Sequence, residues 1–206
     1  MPQKLLHAFL VLFLLLPVSC SEQTAQYSAL PPSATILAFG DSLTAGNGAR
    51  KNKNYPAVLE KLSGYRVINA GVSGEFSARG LQRLPGLLKK HQPALVVICH
   101  GGNDILKNHN LSKTESNLVK MIELARTYSA KVMLLAVPKP SLTLSPPPLY
   151  QQVAEITKVI YDNDTIPTVL GKRQLKSDTY HPNAAGYAVI AERIYQQLVE
   201  LGLMKS

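Results

Sequence analysis

Short apolar runs alternate along this chain with stretches whose apolar residues have helical spacing, and this alternation is what most constrains the fold. The apolar runs have the length of strands and lie at residues 36–39, 67–69, 95–99 and 132–137, with a weaker fifth at 166–169. Unbroken runs of this kind are typical of parallel strands that are buried on both faces. The sequence therefore predicts a parallel sheet that is covered by helices on both sides.

The stretches between these runs carry apolar residues three and four positions apart, as amphipathic helices do. Five such stripes contain Val58, Leu59 and Leu62; Leu81, Leu84, Leu87 and Leu88; Leu118, Met121, Ile122 and Ala125; Leu149, Val153, Ile156 and Ile160; and Tyr187, Ile190, Ala191, Ile194, Leu198 and Leu201. Strand and helix thus alternate from end to end. The pattern predicts an α/β fold, a three-layer α/β/α sandwich around an open, mainly parallel, five-stranded sheet of the flavodoxin-like type.

Length and charge favour a single domain without a nucleic-acid partner. The chain has 206 residues, 46% of them hydrophobic, which suffices for one good core but not for two. The formal charge of +9 comes from scattered lysines and arginines. No basic stripe is interleaved with aromatic residues, so the charge does not predict a nucleic-acid partner. It is instead compatible with attraction to an anionic membrane or to a phosphate-bearing substrate. We assign the domain to residues 34–206 and expect a monomer.

Residues 1–19 differ from the rest of the chain and predict a signal peptide. Lys4 gives a weakly positive start, and an unbroken apolar run fills residues 8–16. That run is too short to span a bilayer comfortably. The polar residues 20–33, which end in Pro31-Pro32, predict a tether between the signal peptide and the domain.

Cys20 follows Leu16-Pro17-Val18-Ser19, which resembles a bacterial lipobox except at Pro17. The resemblance implies a lipid on Cys20 that attaches the protein to a membrane, and the alternative is ordinary signal-peptidase cleavage that releases a soluble protein. Both outcomes predict a bacterial envelope protein, periplasmic, membrane-anchored or secreted.

Cys99 lies in an apolar run and is interpreted as a small buried residue. Two cysteines support no metal cluster or disulfide framework, and a bridge between Cys20 and Cys99 is a minor alternative.

Polar motifs follow the apolar runs at the points where the predicted strands end. They are Gly40-Asp41-Ser42-Leu43 after the first run, Gly71-Val72-Ser73-Gly74 after the second and Gly101-Gly102-Asn103-Asp104 after the third. Asp178 and His181 precede the last helix. In open parallel sheets, sites form beyond the carboxyl ends of the strands. We therefore expect these segments to converge.

Ser42, His181 and Asp178 have the residue types of a nucleophile, its base and the group that orients the base. A serine hydroxyl needs a base within hydrogen-bond reach. Asp178 can accept the Nδ1 proton of His181, which leaves Nε2 facing Ser42. The alternative makes Asp178 a helix cap and His181 a surface residue. His100 also stands near these motifs, but no carboxylate is at a spacing that would orient it.

Three hydrogen-bond donors could stabilise the negative charge that develops on an ester oxygen during attack. They are the amides of Ser42 and Gly74 and the side chain of Asn103. A well-placed donor of this kind lowers the barrier by ~3 to 4 kcal/mol. The alternative for Gly74 and Asn103 is ordinary turn chemistry.

These segments resemble the signature blocks of the SGNH, or GDSL, hydrolases. The blocks are Gly40-Asp41-Ser42-Leu43, the glycine of Val72-Ser73-Gly74, Gly101-Gly102-Asn103-Asp104 and Asp178-Thr179-Tyr180-His181-Pro182. The resemblance covers residues 34–201. Within the family the chain is most similar to the thioesterase I enzymes of bacterial envelopes, also described as lysophospholipases and arylesterases, through Gly80-Leu81-Gln82-Arg83-Leu84-Pro85 and Lys89-Lys90-His91-Gln92-Pro93.

This resemblance implies the SGNH fold and a serine ester hydrolase that needs no metal or organic cofactor. It assigns the catalytic triad to Ser42, Asp178 and His181, and the oxyanion hole to Ser42, Gly74 and Asn103. The implied substrates are small lipid-like or aryl esters, lysophospholipids and, as a further class, thioesters. The proline-rich residues 138–148 depart from the subgroup in a region that helps to wall the acyl groove. The alternatives are a carbohydrate O-acetylesterase and a non-enzymatic envelope protein that binds an anion at residues 41–45.

Overall fold

A five-stranded sheet forms the centre of the molecule in a computed structural model that describes residues 27–141 and 143–205. The strands are β1 (Thr35–Gly40), β2 (Arg66–Gly71), β3 (Leu95–Cys99), β4 (Lys131–Leu135) and β5 (Ile160–Asp162). Their order is β2-β1-β3-β4-β5, and every neighbouring pair is parallel. The predicted α/β fold with a five-stranded parallel sheet is confirmed.

Helices pack on both faces of this sheet. The described residues form α1 (Ser42–Ala45), α2 (Tyr55–Ser63), α3 (Ser77–His91), α4 (Gly102–Leu106), α5 (Leu111–Thr127), α6 (Leu149–Thr157), α7 (Thr165–Gly171) and α8 (Ala184–Glu200). Helices α2, α7 and α8 contact one another in series, as do α3, α5 and α6. These two groups are the outer layers of the sandwich.

The core consists of the central strands and the apolar stripes of the helices. All five residues of β3, Cys99 among them, have no exposed surface. The stripe predicted for α5 is fully buried, and so is the stripe of α8 as far as Leu198. Each large apolar side chain buried in this way contributes roughly 1.5 to 3 kcal/mol to folding.

The fifth strand lies earlier in the chain than the sequence predicted. The run at residues 166–169 belongs to α7, whose apolar residues are buried at helical spacing. The Asp162 carboxylate ends β5 by accepting the N–H groups of Asp164 and Thr165, at 3.0 and 2.8 Å. These bonds turn the chain into a helix immediately after the strand, so the prediction of a strand at 166–169 was wrong.

The stripe predicted from Leu149 to Ile160 is also divided between two elements. Helix α6 ends at Thr157, because Lys158 takes a left-handed conformation with φ +51°. Ile156 is 64% exposed, and Ile160 begins β5. A nine-residue helix and a short strand therefore replace the single longer helix.

The described chain begins beside the end of α8. The Tyr27 N–H donates to the Leu201 carbonyl at 3.1 Å, and the Leu30 N–H donates to the Leu203 carbonyl at 2.9 Å. Leu30 is buried. The described part of the tether predicted at residues 20–33 therefore packs against the domain.

Several sequence predictions concern residues outside the described part of the chain. They are the signal peptide at residues 1–19, the first part of the tether and the lipid on Cys20. Within the described residues, no helix is both long enough and apolar enough to cross a membrane.

The strand order determines where a site can form. From β1 the chain continues to β2 on one side of the sheet, and from β3 it continues to β4 on the other side. The strand order therefore reverses between β1 and β3. In sheets of this type, the crevice at such a point lies at the carboxyl ends of the strands. Residues 41–42 follow β1 and residues 101–104 follow β3, which places both segments at this crevice.

Candidate active site

Ser42 lies directly after β1, where the strand turns into α1. Gly40, the last residue of β1, passes so close to β3 that a Cβ atom on it would lie 2.0 Å from the carbonyl oxygen of Cys99. Asp41 then caps α1, because its Oδ1 accepts the Leu43 N–H at 3.2 Å. Ser42 is therefore the first residue of the helix, and it lines a cavity at the edge of the sheet.

The His181 ring lies between Ser42 and Asp178. Its Nε2 is 3.0 Å from the Ser42 Oγ, and its Nδ1 is 2.9 Å from the Asp178 Oδ2. A carboxylate only accepts hydrogen bonds, so Nδ1 carries the proton and Nε2 accepts the serine hydroxyl. Ser42 and His181, 139 positions apart in the sequence, are in direct contact.

A tight turn before His181 holds Asp178 in place. The Asp178 Oδ1 accepts the N–H groups of Tyr180 and His181 at 2.7 and 2.9 Å. Burial alone would raise the pKa of Asp178, but hydrogen bonds from the His181 ring and from these two N–H groups lower it below the usual carboxyl value. Asp178 is thus ionised at neutral pH, and the 52% exposure of its side chain favours the same charged form.

Gly74 and Asn103 line the same cavity as Ser42. Gly74 is the third residue of a turn that is closed by the Glu75 N–H, which donates to the Val72 carbonyl at 3.2 Å. Its φ of +77° favours glycine at that place. The Asn103 Nδ2 donates to the Glu75 carbonyl at 3.1 Å. Since a side-chain amide has two hydrogens, the second is left for the cavity.

Asn47 also lines the cavity, and the sequence analysis assigned it no role. Its Oδ1 accepts the Ser73 hydroxyl at 2.7 Å, and its carbonyl accepts the Tyr187 hydroxyl at 2.8 Å. Asn47 therefore connects the loop after β2 to helix α8. The signal that could have marked it is a glycine on either side, Gly46 and Gly48, both with positive φ.

Three charged or polar side chains lie next to Gly74, and we call Glu75, Arg83 and His100 the Glu75 cluster. Glu75 and His100 are buried, whereas the Arg83 side chain is 24% exposed. The Arg83 Nε and Nη2 donate to the Glu75 carboxylate at 2.9 and 2.6 Å. The His100 Nε2 is 3.2 Å from the Glu75 Oε2. The expectation that no carboxylate orients His100 was therefore wrong. Sequence spacing did not reveal Glu75 as the partner, because it lies 25 positions away and meets His100 only through the pairing of the strands.

The Glu75 cluster makes stability depend on pH. Burial would raise the pKa of Glu75, but hydrogen bonds from His100 and Arg83 and the charge of Arg83 lower it from 4.5 to about 2. A carboxyl group whose pKa is lower in the folded state than in the unfolded state stabilises the fold. This stabilisation is complete at pH values above the unfolded-state pKa, and it is lost as the pH falls through the folded-state pKa. We expect the Tm of the wild type to fall more steeply between about pH 5 and pH 2 than that of Glu75→Gln, which cannot ionise at this position. Parallel Tm curves would contradict this linkage.

The cavity beside Ser42 has a volume of about 180 Å³ and largely apolar walls. The apolar residues of these walls are Leu43, Leu106, Val137, Pro138, Pro140, Leu144 and Leu170. Three of them belong to the proline-rich loop after β4, whose Leu142 lies outside the described residues. Leu106 and Tyr180, which also lines the cavity, are 39% and 45% exposed. The site therefore joins a polar hydrogen-bond chain to an apolar pocket that is open to solvent.

Residues 38–189 match the model of the GDSL-like lipase/acylhydrolase family. The chain belongs to this family. The matched range contains Ser42, Gly74, Asn103, Asp178 and His181, so all the residues described above lie in the GDSL domain. The protein is thus a GDSL-type carboxylic ester hydrolase.

Several curated esterases and thioesterases match this chain. Thioesterase 1/protease 1/lysophospholipase L1 of Escherichia coli K12 is 31% identical over 179 residues, which cover 81% of this chain and 84% of that protein. The arylesterase of Vibrio mimicus is 33% identical over 184 residues, or 84% of this chain and 92% of that protein. Esterase TesA of Pseudomonas aeruginosa is 43% identical over 111 residues, but that match covers 52% of this chain and spans only 55% of TesA.

A crystal structure of TesA has the same GDSL fold. It superimposes with a TM-score of 0.72 at 34% sequence identity, and the alignment covers 81% of this chain and 99% of that chain. The SGNH hydrolase fold expected from the sequence blocks is therefore confirmed.

Proposed function

We propose that this protein is a serine ester hydrolase of the bacterial cell envelope that cleaves lipid-like or aryl esters through an acyl-enzyme on Ser42. The observation that carries the proposal is the continuous contact from Asp178 through His181 to Ser42 at an apolar cavity. Membership of the GDSL family supports the same chemistry.

The hydrogen bonds of His181 suggest the order of proton transfers. As Ser42 Oγ attacks the ester carbonyl, Nε2 takes the hydroxyl proton, and Asp178 stabilises the charged ring through Nδ1–H. His181 then gives the proton to the leaving alcohol, aryl oxygen or thiol. Water repeats the same steps on the acyl-enzyme and releases the acid.

The negative charge on the carbonyl oxygen requires donors, which we assign to the Ser42 N–H, the Gly74 N–H and the Asn103 Nδ2. The Ser42 N–H belongs to the first turn of α1, whose N–H groups have no partner within the helix. Each donor is expected to lower the barrier by ~3 to 4 kcal/mol if it meets the oxygen only in the transition state.

The cavity favours an acyl chain or an aromatic ring over a sugar. Its volume of about 180 Å³ is below the range of roughly 300 to 1,000 Å³ that buries a whole drug-sized ligand. We infer that it takes one apolar group of the substrate while the remainder crosses the open rim at Leu106 and Tyr180. The names of the relatives, a lysophospholipase and thioesterase in one case and an arylesterase in another, agree with these substrates.

The binding of an anion at residues 41–45 has less support than hydrolysis. Helix α1 has four residues, and the N–H of Leu43 is already bonded to the carboxylate of Asp41.

We further propose that the hydrolase domain, residues 34–206, follows a signal peptide at residues 1–19 and acts in the periplasm or at a membrane. The lipobox-like segment before Cys20 supports a lipid anchor, and ordinary cleavage would release the same domain. Metabolic labelling with palmitate, compared with the variant Cys20→Ala, distinguishes the two.

The function is tested with a panel of p-nitrophenyl esters of two to sixteen carbons, a lysophospholipid, an acyl thioester and an acetylated glycan. We expect kcat/KM to be highest for an ester with a chain longer than acetate, because the walls of the cavity contact the added methylenes. A preference for the acetylated glycan would contradict the proposal and favour the O-acetylesterase alternative.

Leu106 offers a sharper test of the apolar wall, with Leu111 as its matched control. Both are 39% exposed, but only Leu106 lines the cavity. We expect Leu106→Glu to lower kcat/KM for the octanoate ester about tenfold, since losing contact with two methylenes costs ~1.6 kcal/mol. Activity on the acetate ester should change little, and Leu111→Glu should leave both unchanged. Equal effects of the two variants would show that the acyl chain does not contact this wall.

A further inference from the structure

The hydrogen bonds of His100 determine which ring nitrogen carries its proton. The Gly101 N–H donates to Nδ1 at 2.9 Å, so Nδ1 is an acceptor and has no proton. The ring proton is then on Nε2, which donates to the Glu75 Oε2 at 3.2 Å. The His100 side chain has no exposed surface. Glu75 therefore accepts from a neutral histidine on one side and from the Arg83 guanidinium on the other.

Packing around the Glu75 cluster leaves its side chains little freedom. The Arg83 guanidinium lies 4.5 Å from the centre of the Phe39 ring, and its Nη2 also donates to the Ala70 carbonyl at 2.9 Å. A Cβ atom on Gly80 would lie 2.4 Å from the His100 Nε2, so α3 approaches the ring as closely as glycine permits. The cluster is thus attached to β1, β2 and α3 together.

The main chain of Glu75 belongs to the proposed oxyanion hole. Its carbonyl accepts one hydrogen of the Asn103 amide, and its N–H closes the turn on Val72 that presents Gly74. The side chain of Glu75 is fixed by the cluster, whereas its main chain contacts both proposed donors. A shift of Glu75 would therefore move Asn103 and Gly74 with it.

We propose that Glu75, held by Arg83 and His100, is a positioning residue that orients the Asn103 amide and the Gly74 N–H toward the ester oxygen of the transition state. This inference rests on the proposed function, because it requires Asn103 to donate to that oxygen. Glu75 does not line the cavity. Its removal is expected to lower kcat and to leave KM nearly unchanged, since misplaced donors weaken binding of the transition state alone.

A double-mutant cycle between Glu75→Gln and Asn103→Ala tests this inference with p-nitrophenyl octanoate as substrate. We expect Asn103→Ala to lower kcat about a hundredfold and Glu75→Gln to lower it roughly tenfold to a hundredfold. Because both substitutions impair the Asn103 donor, the double variant should lose clearly less than the product of the two single losses.

Two substitutions of Arg83 add a graded comparison. Arg83→Lys keeps the positive charge but cannot bond Glu75 through two nitrogens, and Arg83→Met removes the charge. We expect kcat to fall in the order wild type, Arg83→Lys, Arg83→Met at similar KM. If Glu75→Gln does not fold, Arg83→Lys replaces it in the cycle with Asn103→Ala.

Asp162 provides the matched control for loss of a buried carboxylate. It accepts hydrogen bonds from Thr165 and Gln197, as Glu75 does from its own partners, and it does not line the cavity. Asp162→Asn should lower the Tm and leave kcat of the folded protein unchanged. Far-UV circular dichroism and Tm measurements establish that each variant is folded at the assay temperature.

Three results would overturn the positioning role of Glu75. They are an unchanged kcat in folded Glu75→Gln, a loss that appears in KM alone, and a double variant whose loss equals the product of the single losses. If Asn103→Ala itself leaves kcat unchanged, the assignment of Asn103 in the proposed function fails, and the positioning role fails with it. The single variant thus distinguishes the two failures.

Discussion

Replacement of Ser42 by alanine will abolish labelling by a fluorophosphonate probe and lower kcat for an aryl ester by at least about 10⁴-fold. The Ser42 Oγ is the atom that would bond to the phosphorus of the probe and to the acyl carbon of the substrate. In the wild type, the His181 Nε2 lies 3.0 Å from that oxygen. In the variant, His181 has no hydroxyl to deprotonate. Intact mass spectrometry of the labelled protein and initial rates measure the two effects.

Ser116→Ala is the control for this experiment. Ser116 is an exposed serine on α5 and does not line the cavity. Its variant should keep both labelling and kcat. Labelling that persists at full stoichiometry in Ser42→Ala would mean that another residue is the nucleophile, and the acyl-enzyme proposal would then be withdrawn.

The second large effect is expected for Asp178→Asn, with a loss of kcat of about 10⁴-fold at neutral pH. An asparagine can offer its NH₂ to the His181 Nδ1, which stabilises the tautomer with the proton on Nε2. In that tautomer His181 cannot accept the proton of Ser42. KM should change little, because Asp178 acts on His181 rather than on substrate.

The control for Asp178→Asn is Asp164→Asn. Asp164 is also a largely exposed carboxylate, and its partners are Arg193 and Thr168 rather than a histidine. Its variant should keep full activity. A loss of less than tenfold in Asp178→Asn, in a protein with wild-type Tm, would remove Asp178 from the mechanism.

The strands and helices could be predicted from the sequence most accurately where burial alone decides the structure. β1 and β3 were visible as unbroken apolar runs because both faces of a central strand are covered. β5 was missed because it has three residues, too few to show any periodicity. The run at 166–169 was assigned to a strand because four apolar residues fit either element, and the carboxylate of Asp162 that decides between them acts from outside the run.

The site could be predicted to the extent that its residues stand in short motifs. Ser42 and His181 each lie in such a motif, and the direction of parallel strands implies that they converge. Glu75 could not be assigned in this way, because its partners come from α3 and from the end of β3. Buried charges of this kind become recognisable only when the neighbouring elements are known.

The hydrogen bond between Tyr27 and Leu201 fixes where the described chain enters the domain relative to the triad. Helix α8 starts three residues after His181 and has 17 residues, so it carries the chain about 25 Å away from the triad. Tyr27 joins the domain at that distant end. The described chain therefore enters the domain at the end of α8 that is far from the mouth of the cavity.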